Sequence, residues 1–323
     1  MQPIGKRSVV WEEIGEESAG QRIDNYLLGA LKGVPKSHVY RILRGGEVRV
    51  NSGRVDATYR LKEGDKVRIP PVRMEQRPLL PPNSLPKGAP RLMEMVIYED
   101  EGLIALNKPA GLAVHGGSGI RMGVIEQLRQ ELPKARFLEL VHRLDRETSG
   151  VLLIAKKRAT LLGLHEMMRA GGGMDKRYLV LAQGQFRDEK RAVKESLYKY
   201  NTASGERRVR VQADGQESHT IFKRLNRFQE ASLLEAQLLT GRTHQIRVHL
   251  AHVGYPVAGD DKYGDFPWNK ELAKQGLKRM FLHAASLRFK HPITNQPLNL
   301  EVPLPSELAR FLTHLTPLIH APL

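Results

Sequence analysis

Between residues 20 and 73 the apolar positions first recur at helical spacing and then alternate. Ile23, Leu27, Leu28 and Leu31 share one helical face. Pro35 and Ser37 open a second helix whose apolar stripe is Val39, Ile42 and Leu43, with Lys36, Arg41 and Arg44 among its other positions. After two glycines, the period drops to two in EVRVN, turns at Gly53 and closes with DKVRIP. A short strand is also expected at 8–11. Residues 74–92 hold PLLPPN and LPKGAP, lack periodicity and read as a semi-stiff linker.

From 93 onward strand-sized runs dominate: MVIYE, LIALNK, GVLLIAK, RYLVLAQG, RRVRV, HTIFKRL, SLLEAQLL and FLHAASLRF. Helices are expected around 125–128 and 161–168. A third is expected over 243–253, where Ile246, Leu250 and Val253 keep helical spacing, and a terminal one in PLPSELARFLTHL. Their irregular placement excludes a regular βαβ series and predicts an α+β fold on a mixed or antiparallel sheet. The expected organisation is a lead-in at 1–19, a small module at 20–73, the linker at 74–92 and a large domain at 93–323.

Charge sharpens this picture. Fifty-one Lys and Arg oppose 35 Asp and Glu in 323 residues, a formal net charge of +16 that favours a polyanionic partner. The small module holds twelve basic and five acidic residues, a difference of +7. Two helices and a small sheet with exposed basic positions suit phosphate contacts; an ordinary solvated face is the plainer reading. The absence of cysteine excludes disulfides, thiolate metal sites, iron–sulfur clusters and any cysteine nucleophile. The N-terminus lacks a signal-peptide apolar core and no run is long enough to span a bilayer, so a cytoplasmic protein without membrane association is expected.

Five segments carry candidate chemistry. VHRLDRETSG, 141–150, sets Asp145 between Arg143 and Arg146 just before an apolar run. A carboxylate in a basic frame suits a polyanionic substrate; a surface ion pair in a turn is the alternative. LNKPAGLAVHGGSG, 106–119, runs a strand into a glycine-rich turn, with Lys108 placed to meet a phosphate or the Asp145 loop. It matches no nucleotide-binding fingerprint, so no cofactor is inferred. KRYLVLA, 176–182, starts a strand with Tyr178, a core residue or a ring that stacks on a base. In LLTGRTHQIRVHLAHVG, 238–254, Arg242 stands at a helix entry and Arg247 farther in, where burial would demand an anion such as Asp145. His249 and His252 have i,i+3 spacing, but no acidic residue completes a zinc pattern; no metal is expected. GDDKYGD, 259–265, reads as a structured turn near the site.

Taken together, HRLDRETSG at 142–150, KRY at 176–178 and GRTHQIRVHL at 241–250 resemble the ordered motifs of the RluA-type pseudouridine synthases. NKPAG, VHGG and GDDKYG agree with that family. QRIDNYL, KSHVYRILRGGEVRVN and LKEGDKVRIP resemble the S4 RNA-binding domain. The least family-like stretch is RAGGGMD, 169–175. The resemblance implies a mixed, largely antiparallel bent sheet with a cleft along it, and cofactor-free isomerisation of uridine to pseudouridine. It assigns catalytic roles to Asp145, Tyr178 and Arg247. Arg143 would fill the gap left by a flipped base, while Lys36, Arg41, Arg44, Lys108 and Arg242 would contact RNA. The implied partner is 23S ribosomal RNA or a large-subunit assembly intermediate, with no obligate protein partner. A non-catalytic ribosome-binding protein and a hydrolase are the competing classes; only the first dispenses with Asp145.

Overall fold

The computed structural model describes residues 8–31, 34–72, 90–116 and 122–318. The chain divides into two compact units, 1–89 and 90–323. In the first, helices α1 (Ile23–Ala30) and α2 (Lys36–Arg44) pack beside a three-stranded antiparallel sheet. Its strands are β1 (Val10–Glu13), β2 (Arg49–Val50) and β3 (Lys66–Ile69), with β3 central. Ile23 and Leu27 meet Val39, Ile42 and Leu43 over Val67 and Ile69, so the expected helical stripes are the core. Lys36, Arg41 and Arg44 lie exposed on the opposite side of α2. The strand expected at 8–11 sits two residues later and pairs with β3.

The second unit is built on one eleven-stranded sheet. Its strands are β4 (Val96–Glu99), β5 (Leu103–Lys108), β6 (Glu139–Leu140), β7 (Ser149–Ala155), β8 (Met174–Gln183) and β9 (Lys190–Asn201). They continue with β10 (Arg207–Val211), β11 (Gln216–Arg227), β12 (Ala231–Leu238), β13 (Leu282–Lys290) and β14 (Pro297–Glu301). The spatial order is β10-β9-β11-β12-β8-β13-β7-β5-β4, with β14 on β13 and β6 on β7. Neighbours run antiparallel except β13 and β7, making the sheet mixed and the fold α+β. Register shifts in β11 and β13 mark irregularities of the kind that bends strands.

Among the described residues five α-helices cover the sheet: α3 (Val124–Glu131), α4 (Arg158–Ala170), α5 (Gln245–His252), α6 (Phe266–Lys274) and α7 (Ser306–His314). All of β7 is buried, because alternate residues pack on opposite faces. Leu152 and Ile154 meet the cluster containing α3 and α5, whereas Val151 and Leu153 meet Leu164 of α4. That explains the unbroken apolar run in the sequence. The three glycines of RAGGGMD turn α4 back into β8; Gly171 and Gly172 adopt positive φ there. Leu92, at the end of the expected linker, is fully buried in the second unit, and 73–89 lie outside the described residues. Strands β6, β9 and β14 and helix α6 were not expected from the sequence pattern.

Candidate active site

The loop before β7 presents Asp145, and the sequence itself anchors it. Leu144 and Thr148 are buried, and the Thr148 N–H closes a turn onto the Asp145 carbonyl at 3.1 Å. From beneath, the Lys108 ammonium donates to the carbonyls of Pro109 at 2.7 Å, Leu112 at 2.8 Å and Arg146 at 3.1 Å. Lys108 is 0% exposed. The expected RNA contact is therefore incorrect: three carbonyls occupy the place of a phosphate, and the residue braces the Asp145 loop. Burial pulls its ammonium down to about 7. Arg279 adds a second brace, donating to Ser149 Oγ at 2.8 Å and the Glu147 carbonyl at 3.3 Å.

Helix α5 supplies the counter-charge. It begins at Gln245 rather than 243 because His244 adopts the left-handed conformation, φ 53°. Buried Gln245 ties the entry turn together, accepting from Thr240 Oγ1 and the Arg242 N–H and donating to the His219 carbonyl and Thr220 Oγ1. One turn inward, Arg247 is 4% exposed. Its Nη1 donates to Asp145 Oδ2 at 3.0 Å. Its other edge grips Asp260 through Nε at 2.7 Å and Nη2 at 2.6 Å. Burial acts to lower the guanidinium pKa, but Asp260 and Asp145 outweigh it and the net shift is upward. Burial likewise works to raise Asp260, and Arg247 with two backbone N–H groups holds it below its ordinary value. The acidic turn thus contributes the main partner of Arg247, a residue that sequence reading missed.

Tyr263, from the same turn, lies 5.1 Å from the Arg247 guanidinium and hydrogen-bonds His244 at 2.8 Å. Burial pushes its phenol up to about 12. His244 Nε2 is 3.7 Å from Asp145 Oδ1. Burial lowers its pKa, with the Asp145 charge opposing.

Tyr178 completes the cleft. On β8 it pairs with Ala236 on one side and Ala284 on the other, two small neighbours that leave its ring room. It is 9% exposed. Burial, then the Asp145 charge, raises its phenol pKa, so the hydroxyl keeps its proton at neutral pH. Asp145, Tyr178 and Arg247 line one cavity of about 220 Å³, space for a single nucleobase, together with Arg143, Arg242 and Lys176. Arg143 and Arg242 are exposed at its rim. His249 instead bonds Ser218 in the core, and His252 faces Glu195. Lys36, Arg41 and Arg44 belong to the first unit.

Residues 102–252 match the family model described as RNA pseudouridylate synthase, and 21–67 match the S4 domain model. The class is therefore that of isomerases acting on uridine in RNA. The chain belongs to the RNA pseudouridylate synthase family. It is 52% identical over 299 residues to ribosomal large subunit pseudouridine synthase C of Pasteurella multocida (strain Pm70), covering 93% of this chain and 91% of that one. It is 51% identical over 304 residues to the Escherichia coli (strain K12) protein of the same name, covering 94% and 95%. A solved structure, human RNA pseudouridylate synthase domain containing 4, is 27% identical with a TM-score of 0.57, over 69% of this chain and 93% of the other.

Proposed function

We propose that this chain isomerises uridines of 23S, the large-subunit ribosomal RNA, free or within an assembly intermediate, with Asp145 as the carboxylate that acts on the sugar. The observation that carries this reading is Asp145 held at 3.0 Å by buried Arg247 beside Tyr178, in a cavity sized for one base. Naming of the curated relatives favours the large subunit as the source of substrate.

A stacked uridine cannot reach this cavity, so it must be flipped out of the RNA. The reaction then breaks C1′–N1, turns the uracil and joins C5 to C1′; the proton lost from C5 is matched by one gained at N1. Two routes start from this geometry: the carboxylate adds to C1′ as uracil leaves and is itself displaced when C5 bonds to C1′, or it removes the 2′ proton as uracil leaves, giving a glycal, and that proton returns to C2′ when C5 bonds to C1′. Deuterium at C2′ gives a primary isotope effect only in the second. Arg247 orients the carboxylate without solvent rearrangement, because Asp260 already fixes its other edge. Tyr178 stacks on the uracil. Its raised pKa favours stacking over proton removal by a phenolate, and Tyr178→Phe separates the two roles, since only stacking survives it. Arg143, at the rim, fills the gap left in the RNA stack. Arg242 and the exposed Lys36, Arg41 and Arg44 hold neighbouring phosphates.

Pseudouridine mapping on uridine-containing 23S transcript and on large-subunit precursor particles tests this. New pseudouridines at fixed positions support it. Unchanged RNA in both substrates contradicts it and favours a binding protein.

A further inference from the structure

We propose that the hairpin formed by β9 and β10 is a stacking platform for an unpaired nucleotide next to the target uridine. The inference rests on the functional reading above and adds a subsite to it.

A second cavity, of about 610 Å³, lies beside the first, and both are lined by Arg143, Thr243 and His244. Its outer wall is the hairpin, including Tyr198 and Tyr200. The two tyrosines are two residues apart on β9 and so share a face. Across the ladder Arg208 stands opposite Tyr200 and Arg210 opposite Tyr198. The Arg210 guanidinium lies 5.1 Å from the Tyr200 ring and 5.8 Å from the Tyr198 ring. Arg208 is pinned by Glu206 at 2.9 Å and the Lys262 carbonyl at 3.1 Å, which fixes the hairpin against the turn that carries Asp260.

A plainer reading exists for the arginines. β10 is the sheet's edge, and charge on an edge strand blocks unwanted pairing. Edge protection does not call for two aromatic rings opposite them, with Tyr198 38% exposed. Aromatic rings interleaved with cations are what single-stranded nucleic acid requires, because every base offers a π-face and every phosphate a charge. Duplex RNA would present only phosphates and hydroxyls here, with no base face to stack. The shared wall also gives the geometry a reason. When one nucleotide occupies the first cavity, its covalent neighbour emerges at the second.

The test uses the full-length enzyme and an RNA fragment carrying a uridine it modifies, with 2-aminopurine in turn on either side of that uridine. Tyr198→Ala/Tyr200→Ala should raise KM about tenfold, within the range aromatic–base stacking gives on truncation. The rate at saturating RNA should stay within about twofold, and the salt dependence of KM should be unchanged because no phosphate contact is lost. Quenching of 2-aminopurine on one side should appear with wild type and with Tyr198→Phe/Tyr200→Phe and vanish in the alanine variant. If the alanine variant melts early, the exposed single change Tyr198→Ser carries the same measurement. A wild-type KM with intact quenching overturns the platform. So does a KM rise accompanied by a flattened salt dependence, which marks phosphate contact alone. Failure of wild type to modify any RNA instead removes the functional reading beneath it.

Discussion

At the scale of single residues, the site is an arginine shared chiefly between two carboxylates, Asp145 and Asp260, with the exposed Asp261 a longer contact at 3.3 Å. Asp260 is fully buried and takes one edge of the guanidinium through Nε and Nη2, while Asp145 takes Nη1 at the cavity wall. Asp260→Asn should therefore cost stability by about 3 kcal/mol, the lower range for breaking a buried pair. It should also slow turnover although it touches no substrate. Urea unfolding and single-turnover rates check both; wild-type values in each would show that Arg247 is held by other means. The grouping of Asp145, Tyr178 and Arg247 in one cavity was legible in the sequence because their ordered motifs resemble those of one family. Asp260 was not, since an acidic turn says nothing about which cation it faces. For a related reason Lys108 was legible only as a choice between a phosphate and the Asp145 loop, and the structure gives the loop. A lysine beside a glycine-rich turn resembles a phosphate ligand until three carbonyls are seen around it.

At the scale of elements, the most constrained point is where the Asp145 loop enters β7. Gly150 adopts φ 112°, and a Cβ there would lie 2.2 Å from the Ala284 carbonyl oxygen of β13. That contact is on the sheet's parallel step, so relief must displace β7 or β13. Gly150→Ala should lower stability by at least about 2 kcal/mol and reduce activity, as backbone strain adds to the clash. A melting temperature equal to wild type would count against it. Strands with continuous or alternating apolar runs were visible beforehand. β9 was not, because its solvent face carries Lys194, Tyr198 and Tyr200 and only Val193 and Leu197 are buried hydrophobics. Helix α6 escaped notice too. Its start depends on Asp265 accepting the Trp268 N–H, a cap hidden inside an acidic turn already assigned to the site.

At the scale of the molecule, the proposed function divides labour between the two units. The exposed cations of α2 should contribute affinity without sequence choice. Replacing Lys36, Arg41 and Arg44 with glutamine should weaken RNA binding and reduce the slope of log affinity against log salt, by roughly 0.7–0.9 for each lost phosphate contact. An unchanged slope would remove them from the interface. Acid should destabilise the whole fold through buried histidines. His249 is fully buried, and burial pulls it down to about 4; His142 is held at about 4 for the same reason. Unfolded histidines titrate near 6.5, so between pH 6.5 and 4 the unfolded chain binds more protons. Stability should be full above 6.5 and fall as pH drops through that window, His249 contributing on the order of 2 kcal/mol. Melting of wild type and His249→Gln across pH 7 to 4 measures it; equal pH slopes would contradict it.

All three scales converge on one carboxylate. The decisive measurement compares wild type with Asp145→Asn on the same uridine-containing RNA, recording binding affinity and single-turnover pseudouridine formation together. The variant should bind RNA within a few-fold of wild type and form no pseudouridine. Conversion at the wild-type rate by the variant would contradict the assignment of Asp145, however well the rest of the cleft is built.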